Sequence, residues 1–127
     1  MNSPEDLYPH SSKLFTLLGN RRRLLVVKFL SIFEVGTSLE VREIARVVRG
    51  AETNISPRLV STDEYETAYN GLIQTHLPKL DSADVIEYDD RAKEVTVTPR
   101  VKQYAGINSL VEGFHALETT SDPQEQI

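Results

Sequence analysis

The sequence predicts an α+β fold, mainly α: a winged helix-turn-helix with an extra C-terminal helix. Between Tyr65 and Leu80 apolar residues recur mainly at intervals of three and four, the pattern of one buried helical face. Residues 85–89 and 94–98 then predict two short strands, joined by a charged turn at 90–93. A long helix followed directly by a β-hairpin is the second half of a winged helix-turn-helix, and the other elements are interpreted around it.

The long helix has a predicted start and a predicted weak point. Ser61 and Glu64 indicate a capping box, in which the Ser61 side chain accepts from the Glu64 N–H and the Glu64 side chain reaches back. Pro78 cannot donate to the carbonyl of Gln74 and crowds it, so the last turn should kink or loosen. The predicted buried face consists of Tyr65, Ala68, Tyr69, Leu72, Ile73, His76, Leu77 and Leu80.

Two helices are predicted near the start of the chain. A short helix over 12–18 should end at Gly19 and Asn20, which both tolerate a positive φ. Asn20 is also a good N-cap for a second helix over about 21–33. This second helix is apolar over a wide arc, so we expect it to be central, with core residues Leu24, Leu25, Val27, Phe29, Leu30, Ile32 and Phe33.

The middle of the chain should complete the helix-turn-helix. Leu39 is the expected strand residue that pairs with the hairpin. A third helix over 40–49 should end with Gly50 as its C′ residue. Residues 51–61 are then a loop, and thus an insertion relative to the turn of three or four residues in a compact helix-turn-helix.

The C-terminal region predicts one more helix. Thr98 and Pro99 form an N-cap followed by proline at the first helical position, and the helix should run over 99–117. Its apolar stripe is either part of the core or a dimer seam. Because the winged helix (12–98) is complete without it, we expect a two-fold homodimer. The predicted dimerisation residues are Val101, Tyr104, Ile107, Leu110, Val111 and Phe114, with a lead-in over 1–11 and a disordered tail over 118–127.

Composition limits the function classes. The 127 residues carry a net charge of −5 and no cysteine, and no apolar run is long enough for a membrane span. Residues 1–6 are polar and acidic, unlike a signal peptide, so we expect a cytoplasmic protein. A glycine-rich phosphate loop, a nucleophile–base pair and histidines at metal-ligand spacing are all missing from the sequence. We therefore expect neither an enzyme nor a cofactor.

Two segments carry a family resemblance: Leu17-Leu-Gly-Asn-Arg-Arg-Arg-Leu24 and Gln74-Thr-His-Leu-Pro-Lys-Leu-Asp-Ser-Ala-Asp-Val-Ile-Glu-Tyr-Asp89. Over about residues 12–98 the chain resembles a haloarchaeal family of small winged-helix proteins of largely uncharacterised function, more distantly similar to the ArsR and MarR repressors. The resemblance implies DNA binding and transcriptional control. Family members usually have glycine where this chain has Asp84, and aspartate also tolerates a left-handed backbone.

The outward face of the long helix is the first candidate DNA-binding surface. Asn70 and Gln74 have the amide groups that read adenine, and Thr67 and Thr75 suit phosphates or thymine methyls. Against this, Asp63, Glu64 and Glu66 would face phosphates unfavourably, unless they serve only the helix dipole and solubility. Gly71, expected to be exposed, would allow close approach of DNA or of another chain. The DNA-binding residues predicted here are Thr67, Asn70, Gln74, Thr75 and Lys79.

Basic residues form the second candidate surface. Arg91 and Lys93 lie at the hairpin tip, and Arg42, Arg46 and Arg49 share one face of the third helix. They suit phosphate contacts, and equally an ordinary solvated face. Arg21, Arg22 and Arg23 stand at the wrong helix end for the dipole, which predicts a partner, either DNA phosphate or an acidic patch in the acidic half of the chain after residue 58. The expected partners are double-stranded DNA and a second copy of the chain, with no membrane and no evident small-molecule ligand; the alternative is a protein-interaction module that does not bind DNA.

Overall fold

The computed structural model describes residues 11–120, which form an α+β fold that is mainly α, as the sequence predicts. The predicted lead-in and disordered tail lie outside this range over residues 1–10 and 121–127, whereas Ser11 and residues 118–120, which were also assigned to them, belong to helices. The elements are α1 (Ser11–Leu18), α2 (Arg21–Leu30), β1 (Ser38–Glu40), α3 (Val41–Thr53), a 3₁₀ turn (Pro57–Leu59), α4 (Thr62–Gly71), a π-helical turn (Leu72–His76), α5 (Leu77–Ser82), β2 (Ile86–Asp89), β3 (Glu94–Val97) and α6 (Pro99–Thr120). None of these helices is long and apolar enough to cross a membrane.

The three strands form one antiparallel sheet in the order β1-β3-β2. Leu39 lies opposite Val95, which confirms the predicted pairing of this residue with the hairpin. The predicted turn between the strands is also present, and Asp84 takes the left-handed backbone (φ 61°) expected of it. Since β1 directly precedes α3, the sheet ties the hairpin to the helices.

Residues 62–82 form one continuous long helix made of α4, the π turn and α5. Ser61 Oγ accepts a hydrogen bond from the N–H of Glu64 at 3.2 Å, which confirms that half of the capping box. The Leu77 N–H bonds the Leu72 carbonyl five residues back, immediately before Pro78, so the predicted loosening is confirmed. Leu72 and Leu77 are both fully buried, because the wider turn keeps residues five apart on the core side.

Helix α2 differs from its prediction in length and orientation. It ends at Leu30, where Ser31 caps it through its hydroxyl bond to the Lys28 carbonyl, rather than at residue 33. Ile32 is 73% exposed, and Val26, which the prediction left out, is fully buried. A helix that is apolar over a wide arc does not reveal which edge of the arc faces the core.

Gly50 does not end α3, so this prediction was wrong. The helix continues to Thr53, and Asn54 takes the left-handed position (φ 58°) at its C-terminus. Gly50 is buried inside the helix, and a Cβ there would lie 2.6 Å from the backbone oxygen of Ile55. The glycine therefore allows the chain after α3 to fold back tightly, and the connection to α4 is shorter than predicted.

Helix α6 divides into a core part and an exposed part. Val101 is fully buried and Tyr104 nearly so, both in the core of their own chain. We therefore do not expect Val101 and Tyr104 to contact a second protomer, because both side chains pack inside their own chain. Beyond them the stripe is exposed at Ile107, Leu110 and Phe114 and partly exposed at Val111.

Candidate nucleic-acid interface

The start of α3, the middle of α4 and the hairpin turn meet at one concave surface of about 220 Å³, which we call the hairpin cleft. It is lined by Glu40, Arg42, Tyr65, Tyr69, Ala92 and Lys93. The β1–β3 pairing positions it, since Glu40 ends β1 opposite Glu94 at the start of β3. Residues predicted to contact DNA from the third helix and from the hairpin are thus brought together.

The predicted reading residues of the long helix fall into two groups. Thr67 and Asn70 are exposed on α4, where the Thr67 hydroxyl donates to the Asp63 carbonyl at 3.0 Å. The other three, Gln74, Thr75 and Lys79, line a separate groove against the end of α1. Only the first group shares helix α4 with the hairpin cleft.

The basic residues around the hairpin cleft have partners within the chain. Arg42 forms an ion pair with Glu40, and this hydrogen bond raises the pKa of Arg42. Arg46 stacks over the Tyr65 ring, with its guanidinium carbon 4.4 Å from the ring centroid. Lys93 pairs with Asp90 at 2.8 Å. Any phosphate would have to compete with these partners.

Arg49 belongs to a charge network that connects α2, α3 and α4. Glu52 receives two hydrogen bonds from Arg22, at 2.7 and 2.8 Å, and one from Arg49 at 3.4 Å. Arg49 also pairs with Glu64 at 3.5 Å, so the Glu64 carboxylate faces Arg49. Burial raises the pKa of Glu52, but the bonds and charges of the two arginines outweigh it and the net pKa is lowered.

The sequence predicted that the arginine run would have a partner, either DNA phosphate or an acid after residue 58. For Arg22 the structure shows a different partner, Glu52. The i,i+3 spacing of Arg49 and Glu52 was the one sequence signal for this cluster. Gly71 also has an explanation within the chain, because a Cβ there would lie 3.0 Å from Arg22 Nη1. The close approach that glycine allows at this position is that of the Arg22 guanidinium.

Arg23 is buried between α1 and the long helix. Its Nε donates to the Leu17 carbonyl at 2.8 Å, and its Nη2 donates to the Thr16 carbonyl at 3.4 Å. Nη1 contacts His76 Nδ1 at 3.3 Å, and since arginine can only donate, this imidazole nitrogen accepts. Burial, and then the Arg23 charge, lower the pKa of His76, so its neutral form is favoured.

The hairpin turn is organised by its aspartates. Asp89 Oδ1 accepts from the backbone N–H groups of Arg91 and Ala92, both at 3.0 Å. Asp90 accepts from the Tyr88 hydroxyl at 2.9 Å as well as from Lys93, and the Lys93 bond, followed by that of Tyr88, lowers the pKa of Asp90. The exposed Arg91 side chain thus lies on a turn that is held by these hydrogen bonds.

Metal binding finds no support in the part of the chain that the structure describes. Within residues 11–120 no group of three histidine, aspartate or glutamate side chains is arranged to hold an ion.

The chain belongs to the family described as Domain of unknown function (DUF7344), whose model matches residues 15–96. This match begins within α1, covers α2 to α5, the hairpin cleft and the charge network, and ends before α6. Neither a curated protein nor a solved structure matches the chain. The resemblance to haloarchaeal winged-helix proteins stays a prediction.

Proposed function

We propose that this chain is a winged-helix, DNA-binding transcriptional regulator of the cytoplasm that acts as a homodimer and not as an enzyme. The hairpin cleft is the observation that supports the proposal, because Tyr65 and Tyr69 of α4 line it together with the hairpin turn and the start of α3. In a winged helix the helix that corresponds to α4 enters the major groove, and the hairpin contacts the backbone or the minor groove. The helix that corresponds to α3 crosses the DNA backbone. The element order and the resemblance over residues 12–98 support the same architecture.

Base reading and phosphate binding fall to different residues in this proposal. Asn70 is exposed on α4 and has the amide that pairs with adenine in the major groove. Arg91 at the hairpin tip, with Arg42 and Arg46 on α3, supplies phosphate contacts. Because Arg42 is already paired with Glu40, binding exchanges one ion pair for another, and its salt dependence is weaker than a count of cations suggests.

A second copy of the chain is the proposed partner of the exposed part of α6. Ile107, Leu110 and Phe114 follow one another at intervals of three and four, which is the spacing of a helix–helix seam. Phe15 and Leu18 of α1 adjoin this stripe, with Phe15, Leu18, Ile107 and Val111 lining one shallow groove. Two-fold pairing here would give the symmetric dimer that palindromic half-sites require.

Fluorescence anisotropy with genomic DNA fragments, repeated over a salt series, tests DNA binding. We expect Asn70→Ala to weaken binding to the preferred fragment by about 5- to 100-fold, the value of a lost base contact. Arg91→Gln should weaken all fragments and reduce the salt slope by about 1. Lys102→Gln removes an exposed positive charge from α6 and is the control. A wild-type dimer that binds no fragment at low salt would refute the proposal.

One observation favours a second candidate, a winged-helix protein-interaction module. The exposed face of α4 carries Asp63 and Glu66, and Arg42, Arg46 and Lys93 have partners within the chain. Such a surface suits a basic partner protein better than a phosphate backbone. The same anisotropy experiment separates the two, since this module leaves every fragment unbound at any salt concentration.

Releasing Arg42 from its partner should strengthen DNA binding. In Glu40→Gln the Arg42 guanidinium no longer faces a carboxylate, so we expect affinity to rise by roughly two- to fivefold and the salt slope to steepen. Glu34→Gln removes one exposed negative charge elsewhere and measures the effect of net charge alone. Equal affinities of the two variants would mean that the ion pair does not limit binding.

A further inference from the structure

A groove of about 630 Å³ runs between the end of α1 and the later part of the long helix. Thr16, Leu17 and Arg23 lie on one side, and Gln74, Pro78 and Lys79 are among the residues on the other. Its volume is typical of sites for small organic ligands. We call it the α1 groove. The segments 17–24 and 74–89, which carry the family resemblance, meet here and supply its lining apart from Thr16.

The α1 groove is electropositive although the chain carries a net charge of −5. None of the described residues that line it has a carboxylate, whereas Arg23 and Lys79 are both cationic. The pKa of His76, which contacts Arg23, is lowered first by burial and then by the charges of Arg23, Arg22 and Lys79, with only a weaker opposing effect from Glu52. A bound negative charge would be stabilised by the same positive surroundings that disfavour the imidazolium.

Contacts with the described residues 11–120 leave two of the Arg23 donors for a ligand. Arg23 is only 8% exposed, and its contacts with two carbonyls and one neutral imidazole use three of the five N–H groups of a guanidinium. Within residues 11–120 no carboxylate forms an ion pair with it. A cation buried without a counter-ion is costly, and a carboxylate that hydrogen-bonds to its remaining N–H groups offsets part of that cost.

We propose that the α1 groove binds a small organic carboxylate with an apolar body. The carboxylate would pair with Arg23 at the base of the groove, Lys79 would approach it from the exposed rim, and Leu17 and Pro78 would contact the apolar part. A DNA phosphate fits this site less well, because the backbone of a duplex cannot reach a guanidinium on a side chain that is only 8% exposed.

The α1 groove also adjoins the π turn, since Gln74 and Thr75 belong to both. A ligand there would fix the helix segment that continues directly from α4, so it would change DNA affinity as well as stability. This second effect rests on the proposed function. Binding of the carboxylate itself does not, and it is measured without DNA.

NMR titration of the full chain with 3-phenylpropionate tests the site. We expect saturable shifts at Leu17, Thr75 and Ser82 and a rise in the pKa of His76, because a nearby anion favours the imidazolium. The uncharged 3-phenylpropanamide should bind at least tenfold more weakly. Inorganic phosphate, the other source of negative charge, should shift these resonances only at much higher concentration.

Two exposed positions test the location without disturbing buried Arg23. Lys79→Gln should weaken 3-phenylpropionate binding by about three- to tenfold, while Lys102→Gln should leave it unchanged. Ser82→Tyr should block the groove and abolish the shifts. Equal binding of the acid and the amide, a dissociation constant unaffected by Lys79→Gln and Ser82→Tyr, or tighter binding of phosphate than of the carboxylate would each overturn the proposal. Because the titration contains no DNA, a failure of the proposed DNA binding would leave these outcomes unchanged.

Discussion

Replacing Glu52 by glutamine should lower the free energy of unfolding by about 2–3 kcal/mol, as measured by urea denaturation. The variant keeps the shape of the side chain but leaves Arg22 and Arg49 without their shared carboxylate. Breaking a fully buried ion pair costs about 3–5 kcal/mol. The three side chains here are at most 29% exposed, so water recovers part of that cost and the lower figure is expected.

Two further variants separate the network from a general effect of charge. Glu43→Gln changes an exposed acid of the same helix, and it should cost less than about 1 kcal/mol. A double variant, Arg22→Met with Glu52→Leu, should recover stability relative to Glu52→Gln, because apolar side chains of similar size often replace a buried pair without loss. If Glu52→Gln proves as stable as Glu43→Gln, the network does not hold the helices together.

The pH dependence of the same variant has a definite sign. The pKa of Glu52 is lowered in the folded chain, so its contribution to stability is complete above the carboxylate pKa of the unfolded chain. That contribution is lost as the pH falls through the lower pKa of the folded state. The stability difference between the wild type and Glu52→Gln should therefore shrink in acid and remain constant near neutral pH. A difference that stays constant down to the acid limit would contradict the assignment.

The elements that the sequence predicted well depend on local signals. Ser61 caps its helix by accepting a hydrogen bond from Glu64, three positions away. Pro78 has no N–H to donate, and the helix is loosened in the turn directly before it. The hairpin follows from strand alternation and from a turn of charged residues. Each signal lies within a few residues of the feature it predicts, so neighbouring sequence was sufficient.

The features that the sequence did not predict depend on contacts between distant residues. Arg22 and Glu52 are thirty positions apart, and although the sequence predicts a partner for the arginine run, nothing in it identifies Glu52 as that partner. Gly50 resembles a helix end, yet its role is to make room for the backbone of Ile55. For the candidate interface, residue type identified the cations, but only the structure shows that Arg42 and Arg46 already have partners and that Gln74 lies in another groove.

Replacing Leu110 by glutamate should have the largest effect on function, because it acts on both halves of a two-fold interface. Leu110 is 66% exposed in the single chain, so the charge costs the protomer little. In the proposed dimer each protomer would bury one introduced carboxylate in the apolar seam, which is strongly unfavourable. We expect the variant to sediment as a monomer at concentrations where the wild type is dimeric.

Loss of the dimer should reduce affinity for a two-half-site fragment by about 10²- to 10⁴-fold, since the second contact is no longer held at a high local concentration. Affinity for a single half-site should stay unchanged, because Leu110 lies outside the hairpin cleft. Ile32→Glu introduces the same charge at another exposed apolar residue, 73% exposed on the loop after α2, and should remain a DNA-binding dimer. If Leu110→Glu and Ile32→Glu sediment alike, the exposed part of α6 is not the dimer seam, and the half-sites must be matched through another surface.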